Sequence, residues 1–218
     1  DRQTISGAVS TGTHGTGLGF GGIATRVVGA TLVTGTGALL VVSETQNAEL
    51  LPAVALGLGA LGVLVTVTLQ CVPRFSLHAI EAPAPLAEVL DGFEERSRAA
   101  DHFEFYWFPH TSCTRTKTNR RLPREQGTAP LTPFARFLDE EVVNNAVFGS
   151  LLAAQRWVPA MTPAVNRAVQ SVSSRRDYSD ESYRVFVTRR RVRFREMEVA
   201  VPLAAIPAAM REMGAMIA

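Results

Sequence analysis

The sequence predicts an α+β fold in two regions, and two observations carry the prediction. To about residue 75 the chain is apolar, glycine-rich and nearly free of charge, which reads as strands joined by tight turns. After Pro73 the composition shifts to charged amphipathic stretches that alternate with aromatic and β-branched runs, the pattern of mixed sheet and helix. With 218 residues, 46% hydrophobic and 19% charged, the chain can bury a sizeable core and is excluded from the disordered class. No internal repeat is present.

The elements follow in order. "STGTHGTGLGFGG" (10–22) holds six of the seventeen glycines and a lone histidine. Its main chain must turn tightly or be approached closely, and pattern alone leaves a phosphate cradle and a plain turn equally open. "RVVGATLVTGTGALLVV" (26–42) predicts two strands with a hairpin turn in Thr34-Gly35-Thr36-Gly37. "NAELLPAVALG" predicts a helix opened by Asn47 as N-cap. "VLVTVTLQCVP" (63–73) predicts a strand stopped by proline, with Val63, Val65, Val67 and Leu69 on one face and Leu64, Thr66 and Thr68 on the other. "EAPAPLAEVLDGFEERSRAA" (81–100) predicts an amphipathic helix with Leu86, Val89, Leu90 and Phe93 as its apolar stripe. "HFEFYWFP" (102–109) predicts an aromatic strand, and residues 115–135 a polar loop or hairpin tip. Helices broken by Pro159 and Pro163 are expected over 138–176, long β structure over Tyr183–Pro202, and a final helix from Leu203.

Charge narrows the function classes. A net charge of +2 does not point to nucleic acid. The basic runs "TRTKTNRRLPR" (114–124) and "TRRRVRFR" (188–195) read as solvated faces or as surfaces for a small anion. Two cysteines, Cys71 and Cys113, make no disulfide framework, so a reducing, cytoplasmic setting is expected. Residues 50–69 carry no charge over a bilayer's length, yet Pro52, Gly57, Gly59 and Gly62 interrupt them. A buried helix, a turn and a buried strand fit better; membrane association stays possible but is not indicated.

The chemistry-bearing residues are few. His14, His78, His102 and His110 lack metal-ligand spacing, and no metal site is expected. Glu196 and Glu198 suit paired carboxylates or, better, a surface ladder with Arg193 and Arg195. "TGTHGTGLG" lacks the Gly-Lys-Ser/Thr of a Walker loop and the strand and acidic residue of a dinucleotide fingerprint. No nucleophile elbow is present.

Taken together, "DRQTISGAVSTGTHGTGLGFGGIATRV" and "LGALGVLVTVTLQCVP" resemble the second half of a vanillyl-alcohol-oxidase-type FAD-binding domain. "DHFEFYWFP", "TRTKTNRR" and "VRFREMEVAVP" resemble the cap of its sugar-lactone oxidase branch, which holds the D-arabinono-1,4-lactone oxidases, L-gulono-1,4-lactone oxidases and dehydrogenases, and alditol oxidases. The resemblance implies the rear half of the FAD domain over 1–75 and a truncated cap over 76–218. It places Thr11, Gly12, Thr13, His14 and Gly15 against FAD, with Thr4 and Gly7 upstream and Val63 and Leu64 further along. His14 is then a contact residue, neither base nor metal ligand. The implied reaction oxidises a sugar lactone or polyol: a hydride passes from a carbinol carbon to flavin N5, and oxygen or another acceptor reoxidises the flavin.

Several features of that family are expected outside this chain: the Ser-Gly-His-Ser type loop, the residue that gates oxygen, the Glu-x-Arg pair and the His-Trp-Gly-Lys segment. The chain opens on Asp1-Arg2-Gln3-Thr4 without an initiator methionine or signal-peptide core, so it reads as an internal piece, inactive alone and prone to self-association. No catalytic residue is assigned within it. The rival readings are a non-catalytic flavin-binding or structural fragment, a lactate or cytokinin dehydrogenase of the same superfamily, and an unrelated α+β protein with a glycine loop.

Overall fold

Alternating apolar residues around a glycine turn make the first sheet. In a computed structural model that describes residues 3–123, 125–189, 191–193 and 195–217, the chain folds as two units, Asp1–Arg74 and Phe75–Ala218. The first opens with helix α1 (Ile5–Ser10). After the glycine loop come β1 (Val27–Val33), β2 (Leu39–Ser43), helix α2 (Leu51–Ala55) and β3 (Val63–Leu69), in the antiparallel order β2-β1-β3. The hairpin turn lies where expected: the Thr34 amide donates to Ala38 and the Gly37 amide to Thr34, with Gly37 at φ +82°.

Two expectations fail in this unit. Asn47 does not cap a helix through its side chain. It sits in the left-handed region at φ 53° and its Nδ2 donates to the Val41 carbonyl at 2.7 Å, closing the end of β2. The faces of β3 also differ from strict alternation. Between Thr31↔Thr66 and Leu32↔Leu64 the register shifts, leaving Val65 in a bulge. Leu64 therefore packs on the cluster of Ala30, Leu32, Val42 and Val54, while Val67 and Leu69 pack with Val9, Val27 and Ala55. Val63 and Val65 are exposed, so β3 is an edge strand with one wet face, not a buried one. Among the described residues no helix is long and apolar enough to cross a membrane.

The second unit is built on four antiparallel strands in the order β5-β6-β4-β7. They are β4 (Ser76–Pro85), β5 (His102–Trp107), β6 (Cys113–Arg121) and β7 (Arg176–Glu181). Helices α3 (Leu86–Asp91) and α4 (Phe93–Arg98) follow β4 and meet at Gly92. The helix expected from Glu81 thus starts only at Leu86. Glu81–Pro85 continues the strand, because β7 pairs no further than Glu81 and leaves Pro83 and Pro85 where β4 has only β6 beside it. Arg115–Arg121, expected as loop, is strand because β6 pairs with β4 without a break from Cys113 to Arg121, and the Thr114 and Thr116 hydroxyls add bonds to the Ala84 and Ala82 carbonyls.

Beyond β6, α5 (Pro133–Phe137) runs into a π-helix (Leu138–Val147), α6 (Phe148–Trp157) and α7 (Thr162–Ser171). After β7, α8 (Ser182–Phe186) and α9 (Ile206–Ile217) close the unit. The long β structure expected over Tyr183–Pro202 is absent: α8 occupies its start, and the described residues from Val187 to Pro202 are neither helix nor strand. Glu196 and Glu198 therefore share no strand face with Arg193 and Arg195. Of the basic runs, Arg124 and Arg190 lie outside the described residues, as does Phe194.

Candidate functional site

The residues singled out around the glycine loop start from a helix cap. Thr4 Oγ1 accepts from the Gly7 amide at 3.1 Å, which opens α1. Thr11 closes it: its hydroxyl donates to the Gly7 carbonyl at 2.9 Å and its amide to the same carbonyl at 3.1 Å. The Gly12 amide donates to Val9 and the Thr13 amide to Ala8. Thr13 Oγ1 donates to Gln3 Oε1 at 3.3 Å, and its carbonyl accepts from Ile23, fastening the base of the loop. Thr4, Gly7, Thr11, Gly12 and Thr13 are thus brought together around α1, with the Thr11 and Thr13 hydroxyl protons turned toward the chain.

His14 and Gly15 stand beyond this fastening. The His14 Nδ1 lies 3.0 Å from the Gly15 carbonyl on an exposed ring. Val63 and Leu64 open β3 and connect to the loop through residues 56–62: the Leu58 amide donates to Ser10 O at 3.2 Å, and the Leu56 side chain abuts Gly12. Space tests whether these residues suit a flat cofactor. At Gly15 and Gly19 nothing lies within 4 Å of where a Cβ would stand, and neither has a positive φ. Neither crowding nor backbone conformation within the chain demands glycine there, so the main chain at these two positions is open to the approach of a flat group such as a flavin cofactor.

A second polar assembly lies on the four-stranded sheet and was not read from the sequence. Glu81 is 8% exposed. It accepts from Arg115 and from the Tyr178 hydroxyl, and Lys117 Nζ lies 4.0 Å away while donating to the Val185 carbonyl at 2.8 Å. Burial, then the neighbouring Glu81 charge, pushes the Tyr178 phenol well above its ordinary range, so it stays a donor. Alongside, Arg176 pairs with Asp139, whose hydrogen bond holds the guanidinium charged, and Arg136 reaches Asp180 at 2.5 Å. The available signal was the alternation of "TRTKTNRR", which puts Arg115, Lys117, Asn119 and Arg121 on one strand face. The carboxylate that answers them, Glu81, fell in a stretch that reads as helix. At the opposite face His78 Nε2 meets Asp177 Oδ1 at 2.6 Å, and no group of three metal-binding side chains exists among the described residues.

Comparison with known proteins gives three results. The family model for D-arabinono-1,4-lactone oxidase matches residues 67–218. An L-gulono-1,4-lactone dehydrogenase of Mycobacterium tuberculosis is 37% identical over 202 residues, covering 93% of this chain and 46% of the relative. An L-gulonolactone oxidase of Bos taurus is 31% identical over 216 residues, 98% of this chain and 48% of the relative. Among solved structures, a cholesterol oxidase variant from Brevibacterium sterolicum superposes with a TM-score of 0.72 at 18% identity, over 96% of this chain and 45% of that one. That likeness shows a shared fold, matched over part of the larger chain. The chain spans under half the length of these curated relatives.

Proposed function

Because the chain belongs to the D-arabinono-1,4-lactone oxidase family, we propose that it is part of an FAD-dependent oxidoreductase that oxidises an aldono-1,4-lactone or a related polyol. The observation that carries this reading is the family match across residues 67–218. The open main chain at Gly15 leaves room for the cofactor this reading needs. The family uses FAD, and when bound that cofactor supplies the two-electron acceptor for the hydrogen of a substrate C–H bond.

The chain's own part is to hold and shield. The open main chain at Gly15 and Gly19 would present its amide dipoles to the cofactor's phosphates, and His14 would border them as a contact residue. Thr4, Thr11 and Thr13 work at one remove, fixing α1 and the base of the loop. Val63 would supply exposed side-chain surface that excludes water, and Leu64, whose side chain packs on Ala30, Leu32, Val42 and Val54, would offer its main chain only. With no residue of this chain assigned to proton transfer, turnover is proposed to need the whole protein and an acceptor, oxygen or another. The setting is proposed to be cytoplasmic, supported by the free thiols of Cys71 and Cys113.

Titrating the purified chain with FAD, read by flavin fluorescence and thermal shift, tests the reading. Saturable binding is expected, with stabilisation of about 2.7 kcal/mol at a hundredfold excess over Kd. Alongside it, the full-length protein is assayed on L-gulono- and D-arabinono-1,4-lactone with a dye acceptor. A full-length protein that oxidises neither lactone nor any polyol overturns the proposal, and turnover by the isolated chain overturns its dependence on the rest.

A further inference from the structure

One helical run shows solvent the side that usually faces a core. From Pro133 to Trp157, α5, the π-helix and α6 follow one another without a break. The acidic residues of the run, Asp139, Glu140 and Glu141, turn inward and pair with Arg176, Arg136 and Arg191. Aromatic residues turn outward instead: Phe134 is 74% exposed, Phe137 57% and Trp157, at the end of the run, 84%. Between Leu138 and Trp157 every exposed residue is Val, Ala or Ser except Arg156. A surface helix in water carries its charge on the exposed face and its apolar stripe on the other, so this run is reversed.

Charge on this part of the chain has one sign. Between Val142 and Ser174 the charged residues are Arg156 and Arg167, both exposed. A second copy seated by the same face would bring cations with no exposed carboxylate to answer them, whereas anionic lipid headgroups do answer them. Area points the same way. A stripe about 35 Å long and one helix wide, about 10 Å, offers about 350 Å², short of the ~800 Å² per partner that a stable protein interface buries. A bilayer surface asks for less, because a helix lying in the headgroup plane sinks only its apolar face, to about 5–10 Å. A tryptophan beside an arginine suits that plane, with an amphipathic ring at headgroup depth and a cation next to it.

We propose that the exposed face of α5, the π-helix and α6 docks on an anionic membrane surface. Phe134, Phe137 and Trp157 enter the acyl boundary, and Arg156 stands beside them at the headgroups. The contact is peripheral: among the described residues no helix is long and apolar enough to cross a bilayer. It does not depend on the lactone oxidase reading, since none of these residues belongs to the glycine loop or to β3.

Sedimentation of the full-length protein with unilamellar vesicles tests the proposal. Binding is expected to phosphatidylcholine vesicles that contain phosphatidylglycerol, about tenfold weaker to phosphatidylcholine alone, and weaker again with added salt. The triple variant Phe134→Ser, Phe137→Ser, Trp157→Ser removes exposed rings, so its Tm and lactone turnover are expected to match those of the parent. Its partition into the mixed vesicles is expected to fall at least tenfold. Should the triple variant not fold, Trp157→Ser alone is expected to bind about fivefold more weakly, and Arg156→Glu to reduce the preference for phosphatidylglycerol. A parent protein that sediments with neither vesicle, or variants that sediment as the parent does, overturns the proposal. So does a parent that is dimeric without lipid and becomes monomeric in the triple variant, which gives the face to a second copy. Equal acrylamide quenching in the parent and in Trp157→Phe also overturns it, because the ring is then covered by another part of the same protein.

Discussion

Two glycines contrast what the backbone needs with what it leaves open to a ligand. Gly62 has φ +141°, and a Cβ there would stand 2.2 Å from the Val33 carbonyl oxygen, at the entry to β3. Gly62→Ala must both strain the backbone and push β3 off β1, so a loss of about 3 kcal/mol is expected from the shift in urea midpoint. Gly15 is the opposite case, with open space and ordinary φ. Gly15→Ala should leave stability unchanged or raise it by about 0.5 kcal/mol through the unfolded state. If the loop meets FAD there, the same substitution weakens flavin binding about tenfold in a fluorescence titration, a methyl group's worth of lost approach. Equal flavin affinity in the two proteins would remove Gly15 from the site.

At the scale of elements, the pairing of β4 with β7 carries a pH dependence. Tyr178 donates to Glu81 across this pair, and its phenol is held above the ordinary range by burial first and by Glu81 second. In the unfolded chain it ionises near pH 10. The folded form is thus favoured fully below about pH 10 and loses stability as pH rises further, because only the unfolded chain gives up the proton. Tyr178→Phe should flatten the alkaline fall in Tm relative to the parent chain, and an identical fall in both would show the phenol to be unperturbed. This pair also shows where the sequence was legible. The β1–β2 hairpin, β5 and the final helix α9 were read correctly because periodicity and turn glycines act locally. β4 and β7 were missed: Pro83 and Pro85 look like helix entry until the short reach of β7 is known, and Arg176–Glu181 carries too few apolar residues to read as strand. The failure over Tyr183–Pro202 has a visible cause as well. The side-chain amide of Asn145, on the π-helix, donates to the Arg189 carbonyl at 2.7 Å and accepts from the Arg191 amide at 2.6 Å, taking the place a neighbouring strand would have. For the candidate site, the glycine loop was visible as a composition anomaly, whereas the polar assembly around Glu81 appears only once β4 pairs with β6 and β7, a tertiary property.

At the scale of the whole molecule, the balance of covered and uncovered apolar surface decides behaviour in solution. One face of the β2-β1-β3 sheet packs Leu32, Val42 and Leu64 with Val54 of α2. The other sets Leu39 and Val63 on either side of Val33 by register, with Val41 one pair further along; Leu39 is 70% and Val63 71% exposed. Among the described residues no further strand pairs with β2 or β3, and Asn47 occupies the β2 edge only at the Val41 carbonyl. A wet apolar face bounded by free strand edges is the geometry from which sheets pair with one another. Charge does little to oppose it, since a net charge of +2 over 218 residues gives weak mutual repulsion. The chain on its own is therefore expected to self-associate with rising concentration, as followed by light scattering on a sizing column. Lysine opposes edge pairing by placing a solvated charge where the neighbour's strand must lie. The double variant Leu39→Lys, Val41→Lys, on the exposed side of β2 and distant in sequence from the glycine loop, should shift the population to monomer and leave the thermal transition near its original temperature. A parent chain that elutes as a monomer at every concentration would mean that this face is not adhesive, and a double variant that associates as strongly as the parent would move the adhesive surface elsewhere on the molecule.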